Sequence, residues 1–510
     1  MTKENNKVDI NKHEIDIDTL FKQNVNDLLA IKELYRKLKE MNDRISQIKY
    51  IDTTLSKKLK KEYDNLKKII LDENIQVKLN NDIETINSEL DNKVNKSYIE
   101  TINEKLTNDI ETINEKLTND IETINSHLDN IMMYECDNNN FLNNIGNNRT
   151  LILTEDINIT KLELTNISNL TITSKNRKRT ITITGKSYWD AIVMKKCNNI
   201  LFDNINIKHD YCESAAIIIH SLCSNIIINN CHISSKMNAI STGEWLDSTS
   251  DNMIKDITIS NNTFNVGRMC IEIMNRGDVV RCKNIKILKN KFEWGSASER
   301  PDGEKLAISL VGKQEGNIIK ENVFDSSING YWGIEICCGI GTLIESNIFI
   351  GRALYAIHFT FTTIDSVNIP SYNCIISNNI CIQNNPSTLT VYLKEVRNSI
   401  VKGNQIGKLL VTENSCYNLI SDNNILSSSV SGVIEFGKKS IRNKSSNNML
   451  KCTNEDQACR GIFASGEGTT ENISINDTVI LPLTATRKFY FYELTPATGN
   501  ISEMVRGYLE

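Results

Sequence analysis

The stretch "KDITISNNTF" at residues 255–264 is repeated with small changes through the middle of the chain. Related phrases follow as "KNIKILKNKF" at 283–292, "GNIIKENVF" at 316–324, "GTLIESNIF" at 341–349 and "NCIISNNIC" at 373–381. Within them one Asn recurs at intervals of 28, 32, 25, 32, 25 and 20 residues, as Asn262, Asn290, Asn322, Asn347, Asn379, Asn404 and Asn424. A constant motif at such intervals indicates a solenoid of stacked turns.

The segments around the repeated Asn have the alternation of short β-strands, as in Ile257-Thr258-Ile259, and they lack helical spacing. In stacked turns the Asn would occupy one corner, where its amide can hydrogen-bond to the next turn and its backbone tolerates a left-handed bend. The Ile and Phe of each phrase would form ladders inside. We therefore predict an all-β, right-handed parallel β-helix over residues 138–450.

Residues 20–133 contain neither Pro nor Gly, and their apolar residues recur at helical spacing. An early heptad pattern is followed by an 11-residue repeat, with apolar positions Ile99, Ile102, Leu106, Ile110, Ile113, Leu117, Ile121, Ile124 and Leu128. Ile at the core positions favours three or four strands over two. We predict a long α-helical coiled-coil stalk that makes the protein a parallel homotrimer, preceded by a polar tail over 1–19.

Beyond residue 450 the rhythm of the repeats stops. The segment "ENISINDTVILPLTATRKFYFYELTP" at 471–496 alternates apolar and polar residues over longer strands. This pattern predicts a small antiparallel β module over 451–510.

Composition excludes several classes of function. A net charge of −5 gives no reason to expect nucleic acid as a partner, and no apolar run is long enough for membrane insertion. The N-terminus lacks the apolar region of a secretion signal, so we expect synthesis in a cytoplasm. The 14 cysteines lack metal-ligand spacing, so we expect buried thiols and predict neither a metal nor a cofactor.

The "NIxIxNNxF" corners resemble those of the pectin-lyase-like β-helix superfamily, and a coil followed by a β-helix resembles a bacteriophage tailspike or receptor-binding tail fibre. No catalytic signature of that superfamily matches residue by residue. The resemblance implies a virion tail protein, made in the host cytoplasm and attached through its N-terminal region to a tail or baseplate protein. It would act outside the cell, where it binds, and in many relatives cleaves, bacterial surface polysaccharide.

The strands after each corner read "NAIST", "CIEIM", "LAISL", "GIEIC", "AIHFT" and "TVYLK". Side chains alternate across a strand, so the central residues should point outward in one column: Ser241, Glu272, Ser309, Glu335, His358 and Tyr392. Glu272 and Glu335 would lie two turns, or about 9.6 Å, apart. Inverting glycosidases hold their two carboxyl groups roughly 6.5–9.5 Å apart, so this pair is our predicted catalytic pair.

The other column residues and the nearby loops supply groups suited to a glycan, because aromatic faces pack on sugar rings and polar groups bind hydroxyls. The predicted substrate-binding residues are Ser241, Glu244, Trp245, Arg268, Arg276, Ser309, Trp332, His358 and Tyr392. A lyase ranks below a hydrolase, because no Asp cluster for Ca²⁺ is evident. An outward Glu is commonly only solvated, so a receptor-binding fibre without catalysis and a structural spacer or adhesin remain as alternatives.

Overall fold

A computed structural model describes Glu104, Asn108, Glu115 and residues 132–242, 253–275, 279–294, 305–326, 332–351, 355–364, 366–383, 389–454, 458–494 and 497–509. Of the predicted tail and stalk, the three isolated residues are α-helical, and the rest of 1–131 lies outside the described residues. Met132 and Met133, which the sequence placed in the stalk, begin the first β-strand.

Three long parallel sheets, here named A, B and C, run along the described part of the chain from residue 132 onward. Each turn contributes first to sheet A, then to sheet B, then to sheet C. The predicted parallel β-helix is confirmed.

Sheet A has 20 of the described strands: β1 (Met132–Cys136), β2 (Arg149–Leu153), β5 (Ser168–Ser174), β8 (Asn198–Asp203), β11 (Ser224–Asn229), β14 (Ile254–Ser260), β17 (Cys282–Lys283), β18 (Lys286–Leu288), β21 (Gln314–Glu315), β22 (Ile318–Lys320), β25 (Gly339–Ile340), β26 (Leu343–Glu345), β31 (Ser371–Tyr372), β32 (Ile375–Ser377), β35 (Val396–Arg397), β36 (Ile400–Lys402), β39 (Leu419–Ser421), β42 (Lys444–Ser446), β45 (Ile473–Ile475) and β48 (Ile501–Glu503).

Sheet B has 14 of them: β3 (Ile157–Ile159), β6 (Arg179–Ile183), β9 (Ile205–His209), β12 (His232–Ser235), β15 (Thr263–Val266), β19 (Lys291–Trp294), β23 (Val323–Ser326), β27 (Ile348–Gly351), β33 (Ile380–Gln383), β37 (Gln405–Ile406), β40 (Asn424–Ser427), β43 (Met449–Cys452), β46 (Thr478–Leu481) and β49 (Arg506–Leu509).

Sheet C has 13: β4 (Leu162–Thr165), β7 (Ile192–Lys195), β10 (Ile217–Ile219), β13 (Ile240–Ser241), β16 (Met269–Met274), β20 (Leu306–Val311), β24 (Trp332–Cys337), β28 (Tyr355–Thr360), β34 (Leu389–Lys394), β38 (Lys408–Thr412), β41 (Ile434–Phe436), β44 (Ala458–Ala464) and β47 (Arg487–Glu493). An antiparallel hairpin, β29 (Thr362–Ile364) with β30 (Val367–Ile369), follows β28, and a short 3₁₀ helix spans Leu142–Asn144.

The repeated Asn forms a ladder at the corner between sheets A and B. Each side-chain amide donates to the side-chain oxygen one turn on, at 2.9–3.0 Å, along Asn262, Asn290, Asn322, Asn347, Asn379, Asn404, Asn423, Asn448 and finally Asp477. These side chains are buried, so the ladder satisfies polar groups that water cannot reach. The prediction is confirmed at the first six positions.

The structure corrects two details of this corner. The seventh ladder member is Asn423 and not Asn424, which lies exposed at the start of β40. The left-handed backbone conformation falls on the residue before each ladder Asn, as at Lys289 and Glu321, and not on the ladder Asn itself.

The C-terminal segment is not the small antiparallel module that the sequence predicted. In this segment β44 pairs with β47, β45 with β48 and β46 with β49, all in parallel. The ladder at the sheet A–B corner also continues past residue 450, to Asp477. The described part of 451–510 is therefore a continuation of the solenoid.

Most described cysteines are free and buried, as predicted, but Cys452 and Cys459 form a disulfide. Among the residues described, no three His, Cys, Asp or Glu side chains cluster as metal ligands. No helix within the described ranges is long and apolar enough to cross a membrane.

Candidate active site

The predicted column lies in continuous register on the outer side of sheet C. Each member pairs with the next along Ser241, Glu272, Ser309, Glu335, His358 and Tyr392. The neighbours of Glu272 on its strand, Ile271 and Ile273, are fully buried in the core. Alternation therefore directs Glu272 to the outside of the solenoid, as the sequence predicted.

The column is more buried than a solvated strand face would be. Ser309 is 2% exposed, Glu272 9% and His358 8%, although all three lie outside the core cluster. Polar groups with so little access to water need partners within the protein. The column residues are therefore held by contacts within the protein and are not independent solvated side chains.

Glu272 is held by three neighbours. Its Oε2 accepts hydrogen bonds from Asn238 Nδ2 at 2.7 Å and Ser241 Oγ at 3.2 Å, both on the preceding turn. The guanidinium of Arg268 forms an ion pair with the other oxygen at 3.6 Å. These contacts fix the direction of the carboxylate and leave its side chain 12% exposed.

Glu335 has a different environment. Its Oε2 accepts a hydrogen bond from Ser309 Oγ at 3.0 Å, and its Oε1 lies 3.9 Å from His358 Nδ1. Each Glu thus accepts a hydrogen bond from a Ser on the preceding turn, and two strand separations place the backbones of Glu272 and Glu335 about 9.6 Å apart. The carboxyl groups of inverting glycosidases are roughly 6.5–9.5 Å apart, close to this backbone separation.

His358 lies in an apolar, aromatic environment. Its ring stacks on Tyr392 with centroids 4.9 Å apart and meets Trp332 edge-on at 5.3 Å. Burial, and to a smaller extent the charge of Lys394, lower the pKa of His358 to about 4. The imidazole is therefore neutral at pH 7 and does not form a charged pair with Glu335.

The ring nitrogens of His358 are buried, and neither has a hydrogen-bond partner within the described residues. A neutral imidazole offers one donor and one acceptor. Leaving both unsatisfied is costly, so His358 is suited to a hydroxyl group supplied from outside the protein.

A second outward row, which the sequence analysis missed, runs beside the column. In β16, β20, β24 and β28 two consecutive residues face the core, as in Cys270-Ile271 and Ala356-Ile357. This irregularity turns the residue before each pair outward, and these residues pair in register as Met269, Leu306, Trp332 and Tyr355. The signal was present as a small residue before each Ile in "CIE", "AIS", "GIE" and "AIH".

The second row brings aromatic rings against the column. Trp332 and Tyr355 meet edge-on at 5.0 Å, and Tyr355 lies 5.4 Å from the ring of His358 and 6.0 Å from that of Tyr392. Burial raises the pKa of Tyr392, with a further contribution from the charge of Glu413. Tyr392 is therefore a neutral phenol at pH 7.

The remaining predicted site residues divide into two groups. Arg268 and Trp332, which the sequence placed in loops on this side, lie against Glu272 and His358 respectively, and Trp332 is the first residue of β24 rather than a loop residue. Glu244, Trp245 and Arg276 lie outside the described residues.

Comparison of the sequence with known protein families and with curated proteins finds no match. Among solved structures, the described fold is similar to the A-modules of the Azotobacter vinelandii mannuronan C-5 epimerases AlgE6 and AlgE4. The first has a TM-score of 0.51 at 11% identity, covering 66% of this chain and 90% of that one, and the second has 0.48 at 11%, covering 65% and 90%.

Similar solved structures also include phage tailspike proteins, among them the Dettilon tailspike protein, with a TM-score of 0.36 at 17% identity over 58% of this chain and 60% of that one. Of these three likenesses, that to the AlgE6 A-module is close enough to show a shared fold, the parallel β-helix.

Proposed function

We propose that this protein binds bacterial surface polysaccharide along the outer side of sheet C and hydrolyses it between Glu272 and Glu335. The observation that carries this proposal is the register of the two carboxylates, two turns apart with only Ser309 between them. Water and a glycosidic bond fit between carboxyl groups at that separation.

The two carboxyl groups would have different roles. Glu335 donates a proton to the glycosidic oxygen as the bond from that oxygen to the anomeric carbon breaks. Glu272, already ion-paired with Arg268, accepts a proton from the water that attacks the anomeric carbon from the opposite face. The products are a hemiacetal of inverted configuration and a free hydroxyl; Glu272 then releases its proton to solvent, and Glu335 takes one up from solvent.

The aromatic residues beside Glu335 would position the sugar. Trp332, Tyr355 and Tyr392 surround the ring of His358. Sugar rings pack on such faces, and His358 would hydrogen-bond a sugar hydroxyl. This cluster supports glycan binding whether or not cleavage follows.

The setting we propose is a virion tail. The predicted trimeric coil followed by a β-helix supports a tailspike that acts outside the host cell. Its N-terminal region would attach to a tail or baseplate protein, and sheet C would face the polysaccharide of the host surface.

A second candidate function is receptor binding without cleavage. The nearly complete burial of Ser309 and the three contacts that already engage Glu272 favour it, because a catalytic base must reach a water molecule. The same face would then recognise the polysaccharide and leave it intact.

The experiment is digestion of capsule and lipopolysaccharide preparations from candidate host strains, with release of reducing ends as the readout. We expect Glu272→Gln and Glu335→Gln to abolish release while pull-down of the polysaccharide persists. Glu163→Gln is the matched control, because Glu163 occupies the same outward column four strands earlier and is exposed.

The hydrolase proposal is overturned if wild type binds a polysaccharide and releases nothing, or if both Gln variants retain activity. The first result supports the receptor-binding function instead. If no preparation is bound at all, both candidate functions fail.

A further inference from the structure

The outer side of sheet B changes character along the solenoid. Over β3 to β19 its outward side chains are polar or charged: Asn158, Thr182, Lys208, Ser234, Asn265 and Glu293. Such residues are typical of a surface that stays in water.

From β23 onward Asp325, Gln405, Asn424, Lys451, Thr478 and Arg506 keep polar groups on this side, but nine outward positions are apolar. They are Val323, Ile348, Ile350, Ile380, Ile382, Leu426, Met449, Ile480 and Tyr508, which we call the sheet B strip. Ile382 is 54% exposed, Met449 49% and Tyr508 53%. The strip crosses eight strands, or about 34 Å at the usual strand spacing.

The strip has two parts. In the first, Val323 pairs with Ile348, Ile348 with Ile380 and Ile350 with Ile382. In the second, Ile480 pairs with Tyr508, whereas Leu426 pairs with Lys451 and Met449 with Thr478. Gln405 and Asn424 separate the two parts and line a groove of about 510 Å³ together with Leu426, Met449, Lys451, Ile480 and Tyr508. So many exposed apolar side chains on one sheet face are uncommon on a monomer and indicate an interaction site.

We propose that the sheet B strip contacts a second copy of this chain. The 131 residues that precede the first strand favour this occupant, because their Ile-rich repeat predicts a parallel coil of identical helices. The last apolar position of the repeat, Leu128, is four residues before Met132, where β1 begins. Solenoids joined through such a coil are tethered closely and in parallel, which gives the strip a high local concentration of the same surface.

The side chains of the strip favour a protein as binding partner over a glycan. Its side chains are mainly branched aliphatic groups, and Tyr508 is its single aromatic member. Sugar recognition uses flat aromatic faces together with polar groups, as beside Glu335 on sheet C. Packed aliphatic surface is instead typical of interfaces between identical subunits.

This inference rests on the homotrimer in the proposed function and adds the surface through which the subunits meet. It is independent of whether sheet C cleaves a polysaccharide.

The test is photo-crosslinking in the full-length chain. Ile382 and Met449 are replaced one at a time by p-benzoylphenylalanine, and the matched controls are the same replacement at Lys208 and Ser234 on the polar part of sheet B. After illumination, covalent dimers are measured on denaturing gels, and light scattering gives the mass of the assembly before illumination.

We expect a trimer mass, covalent dimers from the two strip positions and none from the controls. A trimer mass without crosslinks at the strip, or with equal crosslinks at the controls, overturns the assignment of the surface and leaves the trimer standing. A monomer mass overturns both.

Discussion

At the scale of single residues, the fold depends on an amide that satisfies four partners at once. Asn423 donates to Val401 O at 3.0 Å and to Asn448 Oδ1 at 2.9 Å. Its Oδ1 accepts from the main-chain N–H and the side-chain amide of Asn404, at 3.0 and 2.9 Å. These four hydrogen bonds lie in the interior, so removing the Asn423 amide leaves buried polar groups without partners.

Two neighbouring residues test this directly. Asn423→Ala should lower the free energy of unfolding by roughly 1–3 kcal/mol for each buried group left unsatisfied. Asn424→Ala should change it by less than about 0.5 kcal/mol, because Asn424 is exposed. Urea unfolding followed by circular dichroism measures both. Equal losses, or a larger loss at Asn424, would contradict the ladder.

The sequence identifies the ladder in long turns and misplaces it in a short one. The turn from Asn404 to Asn423 is 19 residues long, shorter than the turns of 25–32 residues before it, and it ends in two adjacent Asn, Asn423 and Asn424. Only the backbone conformation identifies Asn423 rather than Asn424 as the ladder residue, because Asp422, just before Asn423, takes the left-handed conformation. The same conformation at Lys289 and Glu321 could not be predicted, since neither residue type favours it.

At the scale of elements, the strands are aligned by what they stack inside. Phe264, Phe292, Phe324 and Phe349 form a continuous aromatic ladder on sheet B, with ring centroids 4.5–5.0 Å apart and planes within 7° of parallel. Each ring is in contact with the ring of the adjacent turn, so the ladder fixes the register of neighbouring strands.

Phe292→Ala should therefore cost about 3–5 kcal/mol of stability, because it opens a cavity and removes two ring contacts. Lys291→Ala on the same strand is the control, since Lys291 is exposed and its pair with Glu293 contributes little. Thermal melting of the two variants makes the comparison. A Phe292 variant as stable as the control would mean that the ladder does not hold the register.

Sheet C shows which outward residues the two-residue period of a strand predicts and which it does not. Alternation located the column from Ser241 to Tyr392, because the residues on either side of each column position are mostly apolar. Alternation does not predict the row of Trp332 and Tyr355, because the next two residues both face inward, Gly333 with Ile334 and Ala356 with Ile357. A strict two-residue period does not predict two consecutive inward-facing residues, although the repeated small residue before each Ile indicates them.

At the scale of the whole molecule, the solenoid continues where the sequence suggested a separate module. The segment 471–496 alternates apolar and polar residues, a pattern typical of half-exposed antiparallel strands. The direction of a strand's partner is set by a segment some thirty residues away, here β44. Local alternation carries no information about it.

The stacking of turns also gives the outer sides of sheets B and C different chemistry. Sheet C carries the carboxylates and aromatic rings, and sheet B carries the apolar strip. We assign glycan binding to sheet C and contact with protein to sheet B.

The measurement that tests the assignment of glycan binding to sheet C most directly is a crystal structure of the Glu272→Gln/Glu335→Gln double variant with a bound fragment of the host polysaccharide. We predict that the sugar rings lie along the column from Ser241 to Tyr392, with a glycosidic oxygen near residue 335. A fragment bound on sheet A, on sheet B or at an end of the solenoid, with sheet C empty, would contradict the account.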